Sequence, residues 1–171
     1  GKSDDEIATL AKNDPTQLNV EELLYAATLT TNKDEKIAIY NKVAEQYNDY
    51  RAWNSMGQIY FENGQIATAR NCYNKALAIE PNNANVNYNA ALAAMADNDF
   101  AKAEQYFGKA AGADANLSAA MGTMYTMKGD YAAAKKAYGA SATNNAAVQQ
   151  ILDEDYTAAL QTLNKMQKPN A

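Results

Sequence analysis

The chain has 171 residues, 47% of them hydrophobic and 20% charged, enough for a sizeable core in one domain or two. Twenty acidic against fifteen basic side chains leave a net charge of -5, which disfavours a nucleic-acid surface. The sequence has no histidine, the commonest general base and metal ligand, and its one cysteine, Cys72, allows neither an internal disulfide nor a thiolate zinc site.

At the start, Ser3-Asp4-Asp5-Glu6 reads as a capping box opening a short helix from Asp4 to Lys12, which Asn13-Asp14-Pro15 then ends. These first 16 residues are an expected capping helix. Gly1 in place of Met is read as a processed or excised start, with any targeting segment outside the chain. No run of 18 apolar residues occurs, so no membrane insertion of this segment is expected.

From about Gln17 to Asp49 the chain is a degenerate copy of the unit C-terminal to it: Ile39-Tyr40-Asn41-Lys42-Val43 echoes Cys72-Tyr73-Asn74-Lys75-Ala76 at a spacing of 33. The strongest unit runs from Tyr50 to Asn83 and carries Trp53, Met56-Gly57, Tyr60, Gly64, Ala69, Tyr73, Ala76 and Pro81. A third, 84–114, repeats the frame at Ala91, Phe100, Ala103, Phe107 and Ala110. A fourth, 115–139, repeats it at Met121-Gly122, Tyr125, Gly129, Tyr131, Ala134 and Tyr138. The step from 84 to 115 is three residues short, which places the loss at the counterpart of the Pro81-Asn82-Asn83 turn. The last unit, 140–171, is degenerate and capping; its Asp155-Tyr156-Thr157-Ala158-Ala159-Leu160 echoes Asp130-Tyr131-Ala132-Ala133-Ala134-Lys135.

Each unit reads as two antiparallel helices crossing at small residues, with Gly57 facing Ala69, Ala91 facing Ala103 and Gly122 facing Ala134. Asn63-Gly64, Asp97-Asn98-Asp99 and Lys128-Gly129-Asp130 break the chain between the two helices.

The pattern W-x2-L-G-x2-Y, A-x3-F and a closing proline, over a 34-residue period, resembles the tetratricopeptide repeat, with Met56 for Leu and Tyr73 for Phe. The resemblance covers roughly Gln17 to Met166 and implies an all-α, right-handed superhelical solenoid of about ten or eleven helices without strands, in a single domain. It also implies a concave face built by repeat positions 2, 5, 9 and 12 of each first helix. Those positions hold Glu21, Tyr25 and Thr28; Arg51, Asn54, Gln58 and Phe61; Asn85, Tyr88, Leu92 and Met95; and Asn116, Ala119, Thr123 and Thr126.

The candidate groove for a protein or peptide partner is therefore Tyr25, Arg51, Asn54, Gln58, Phe61, Asn85, Tyr88, Asn89 and Leu92, with Phe61 and Tyr88 as exposed aromatic anchors outside the core. Its amides can donate to and accept from an extended backbone. The alternative is a merely solvated face, or a dock for a neighbouring domain. The family's carboxylate clamp of Lys, Asn and Arg finds only Asn89; Asn54, Gln58, Asn116 and Ala120 stand at its other positions, so binding of a chaperone tail is not expected.

Other chemistry is not expected. Glu21-Glu22 reads as helix N-terminal charge and Asp153-Glu154-Asp155 as a solvated turn, not as acid/base pairs or a cation site. Most of the twelve tyrosines fall at core positions, and Cys72 reads as a small buried residue. No enzyme, no metal, no cofactor and no nucleic-acid partner is expected.

Two segments, Val20–Leu29 and Glu104–Gly112, also resemble the repeat region of larger cell-envelope proteins of anaerobic gut bacteria, which implies an exported, periplasmic or outer-membrane-associated protein. Two functions are consistent with these readings: an interaction scaffold holding a partner segment, or a structural spacer or docking domain with a glycan-contacting surface.

Overall fold

A computed structural model describes residues 1–139; the last predicted unit, 140–171, with Asp153-Glu154-Asp155 and the echo at 155–160, lies outside the described residues. The described residues hold nine α-helices, one 3-10 turn and no strand. They fall into two compact units, Gly1–Pro81 and from Asn82 onward, each taken by itself below.

The first unit contains α1 (Asp4–Asn13), α2 (Val20–Thr28), α3 (Lys33–Tyr47), α4 (Tyr50–Glu62) and α5 (Ile66–Ile79). The Ser3 hydroxyl accepts from the Glu6 amide at 3.2 Å and so starts α1, and Pro15 opens the 3-10 turn that comes after it. The capping box at α2 is complete: Asn19 Oδ1 accepts from the Glu22 amide (2.8 Å) and Glu22 Oε1 from the Asn19 amide (3.0 Å). Ile7, Ala11, Leu18, Leu23, Ala26, Val43, Ala52, Met56 and Cys72 form one core, with Trp53 and Tyr60 packed against it. Each large aliphatic side chain buried there contributes roughly 1.5–3 kcal/mol.

The second unit contains α6 (Ala84–Ala96), α7 (Phe100–Gly108), α8 (Leu117–Lys128) and α9 (Tyr131–Tyr138). Ala91, Ala94, Ala103, Phe107, Ala120 and Met124 are buried together there. The short step between the third and fourth repeats is taken differently from the sequence expectation. Helix α7 itself stops early, at Gly108, and an irregular connection holding Gly112 at φ +83° leads to α8.

Three of the inter-helix turns are built alike. Gly64, Asn98 and Gly129 adopt left-handed backbone, each seven residues after the small residue at 57, 91 or 122. In each turn the next residue's amide donates five residues back: Gln65 to the Tyr60 carbonyl (2.9 Å), Asp99 to Ala94 (2.8 Å) and Asp130 to Tyr125 (2.9 Å). These are Schellman closures, and they explain why Gly and Asn stand where the sequence breaks.

The helix crossing holds a close approach that the spacing does not reveal. A Cβ on Gly57 would lie 2.5–2.9 Å from the Tyr73 ring, and one on Gly122 would lie 2.6–2.7 Å from the Tyr138 ring. The nearest approach is therefore glycine to the aromatic ring sixteen residues on, while Ala69 and Ala134 are themselves fully buried. At the same spacing the other pairs hold Ala91 with Phe107 and Ala27 with Val43, all buried. Where the first residue gains a methyl, the second loses its hydroxyl or its ring.

Candidate functional site

In the first unit the predicted binding residues lie mainly on α4. Asp49 caps this helix by accepting from the Arg51 amide at 2.9 Å. The Arg51 guanidinium then folds back on the same carboxylate, Nε to Oδ1 at 3.0 Å and Nη2 to Oδ2 at 2.8 Å, and reaches Glu21 of α2 at 2.8 Å. These bonds raise the Arg51 pKa, and the guanidinium holds the Asp49 carboxyl below its ordinary value. Arg51 thus ties α2 to α4 and is not a free cation for a ligand.

Asn54 and Gln58 come next at intervals of about one turn, both half-buried. Gln58 also lines a cavity of about 390 Å³ with Lys36, Tyr40 and Ser55. Tyr25 on α2 is 44% exposed, and its hydroxyl donates to Asp4 at 2.9 Å. Phe61 does not match its expected role: it is 7% exposed, a buried side chain and not an anchor at the surface.

The second unit carries its share on α6. Asn83 caps the helix, accepting from the Val86 amide at 3.1 Å, and the buried Asn87 donates to the Asn83 carbonyl at 2.9 Å. Asn85 is exposed, and Asn89 is half-buried one turn on. Tyr88 and Leu92 are half-buried and packed against the core, Tyr88 edge-on to Phe107 with ring centroids 6.1 Å apart. Burial pushes its hydroxyl pKa up, with the Asp114 charge adding to the effect. Tyr88 is therefore a core-supporting aromatic with a partly open face, which corrects its placement outside the core. Met95, Thr123 and Thr126, expected on the inner face, are buried as well; the threonine hydroxyls donate to the Ala119 and Gly122 carbonyls of their own helix.

Two features escape the sequence pattern. Glu22 is a helix cap and an ion-pair partner of Lys2 (3.1 Å), while its neighbour Glu21 pairs with Arg51. The Asn19-x-x-Glu22 spacing could have signalled the cap. The second is a recess among α1, α2 and α3, which only packing reveals. Cys72 is buried, and desolvation raises its thiol pKa. Among the described residues no group of three or more His, Cys, Asp or Glu side chains could hold a metal ion. None of their helices is long and apolar enough to cross a membrane.

A family model described as TPR repeat matches residues 57–97, and one described as tetratricopeptide repeat matches residues 84–117. No curated protein matches the chain. A tetratricopeptide repeat protein from Parabacteroides merdae ATCC 43184 superposes with a TM-score of 0.70 at 16% identity, over 98% of this chain and 73% of that one. A crystal structure of MamA gives 0.66 at 19% identity, over 91% and 88% of the two chains. A second MamA structure, MSR-1 C2, gives 0.63 at 14%, over 93% and 95%. At these identities the likeness establishes the helical-repeat solenoid fold. Such repeats are in general interaction scaffolds for other proteins, not catalysts. Residues 57–117 therefore match tetratricopeptide-repeat models, within a chain that has the helical-repeat solenoid fold of such proteins.

Proposed function

We propose that the chain binds an extended segment of a partner protein along the first-helix faces of its repeats. The observation that carries this is an amide stripe in each unit, Asn54 and Gln58 on α4 of the first and Asn85 and Asn89 on α6 of the second, each pair four residues apart on one helix face. Primary amides can both donate to and accept from a strand-like backbone, so they read main chain independently of its sequence. Tyr88 and Leu92 add apolar area on α6, and the exposed Tyr25 adds more on α2. With Arg51 engaged by two carboxylates, a negatively charged terminus is not the favoured ligand.

The likeness of Val20–Leu29 and Glu104–Gly112 to envelope-protein repeats supports placing this scaffold in a larger exported protein. The test is affinity capture from envelope extract with the wild type, Asn54→Ala/Gln58→Ala and Asn85→Ala/Asn89→Ala. A partner retained by the wild type and lost from both variants, with melting curves preserved, is the expected result. Equal capture by all three would sink the groove reading and favour a spacer.

A further inference from the structure

Away from the amide stripe, the first unit contains a recess of about 350 Å³ enclosed by α1, α2 and α3. Its lining is mostly apolar: the buried Ala11 of α1 and Ala26 of α2, the exposed Ala8 of α1 and Ala38 of α3, and Leu29 and Ile39. Ala11 and Ala26 are buried at 6% and 2% exposure, whereas Leu29 is 37% exposed and lies open to whatever enters. Water in such a space finds few polar partners, so its displacement by an apolar group is favourable. The volume stands near the lower end of the roughly 300–1,000 Å³ typical of ligand pockets, a size for a few side-chain carbons.

The rim is charged and unbalanced. Lys12 pairs across it with Glu35 at 3.4 Å, and Glu35 also accepts from the Thr30 hydroxyl at 2.7 Å. Lys42 lines the same mouth on α3, exposed and without an ion pair among the described residues. Two ammonium groups against one carboxylate leave the mouth positive on a chain whose net charge is -5. A carboxylate at this mouth would complement Lys42 without disturbing the Lys12–Glu35 pair.

We propose that this recess is a docking site for an acidic protein segment that inserts a leucine-sized apolar side chain between its flanking carboxylates. It stands apart from the first-helix faces and would give the scaffold a second, independent contact. The probe is a blocked hexapeptide of two central leucines flanked on each side by two glutamates, titrated into the full chain while backbone amide shifts are followed. Saturable shifts centred on Ala8, Leu29, Ala38 and Lys42 are expected. Ala38→Phe, at an exposed position, fills the recess, and Lys42→Glu reverses the rim; each should weaken binding at least tenfold with the melt unchanged. The same peptide with lysines for glutamates should also bind at least tenfold more weakly. Absence of saturable shifts, undiminished binding by Ala38→Phe, or equal binding of the lysine peptide would overturn the proposal. So would shifts centred on Asn54 and Gln58 or on Asn85 and Asn89, which would favour the amide stripe. Self-association that Ala38→Phe abolishes, without peptide binding, would assign the recess to a second copy instead.

Discussion

Gly57→Ala is the sharpest probe of the helix crossing. The added methyl carbon would sit 2.5 Å from Tyr73 Cε1, with Cδ1 and Cζ within 2.9 Å, whereas ordinary contact begins near 3.4 Å. The ring must retreat by about 0.9 Å, yet Tyr73 is only 2% exposed and lies inside the helix pair. Overpacking of this kind costs ~1–3 kcal/mol, and the rigid ring places it in the upper part of that range. Replacing glycine by alanine within a helix returns ~1 kcal/mol. The net is a destabilisation of ~1–2 kcal/mol, or a fall of roughly 2–8 °C in Tm for a chain of this size. Tyr73→Leu removes the ring, so the double variant should be less destabilised than the sum of the singles by at least ~1 kcal/mol. Thermal melts of the four proteins measure this coupling. An unchanged Tm for Gly57→Ala, or strict additivity, would refute the assigned contact.

The remaining expectations concern caps, turns and titration. Asn19→Ala should cost about 1 kcal/mol by breaking the α2 capping box, measured by denaturant melts. Gly64→Ala should destabilise by ~1–2 kcal/mol, because left-handed backbone at φ +77° opposes any Cβ although the space there is open, while Asn98→Gly should be neutral or stabilising. Asp49 has its folded pKa held below 3.8 by Arg51, so its contribution is present above that value and fades as pH falls through the lower folded pKa; Asp49→Asn should flatten this acid limb of a stability–pH curve. Tyr73 and Tyr138 have raised pKa values from burial, so stability is intact below pH 10 and declines as pH rises beyond it. In ultraviolet difference spectra their phenolates should appear only together with unfolding.

The helices were legible because the sequence states their boundaries chemically. Ser3, Asn63-Gly64, Asp97-Asn98-Asp99 and Lys128-Gly129-Asp130 each combine a cap or breaker with the chemistry that its turn uses. Packing partners were less legible. Gly57, Ala69 and Tyr73 all stand out in the repeat, but spacing alone does not show that the Tyr73 ring is what a methyl on Gly57 would meet first; that depends on where the ring points. Tyr88 was misplaced for a related reason: it lies on α6 among many alanines, so its large ring packs against the core of its own unit, and Phe61 on α4 is buried as well. The recess among α1, α2 and α3 has the same origin, since it is a volume left by small residues and carries no motif.

These displacements narrow what a partner can be on the first-helix faces. Arg51 is held by Asp49 and Glu21, and both Phe61 and Tyr88 lend much of their surface to the protein's own packing. The other polar side chains on those faces are neutral amides, Asn54, Gln58, Asn85 and Asn89, so affinity there would come from main-chain contacts repeated along a segment more than from one deep anchor. Contacts of that kind are individually weak, of the order of 0.5–1.5 kcal/mol for a neutral hydrogen bond. Adding a second, chemically different contact on the same chain multiplies affinity through effective concentration, provided the partner can span both. The positive mouth over an apolar recess supplies a contact of that different kind, and the charge it selects is the one the amide stripe does not read.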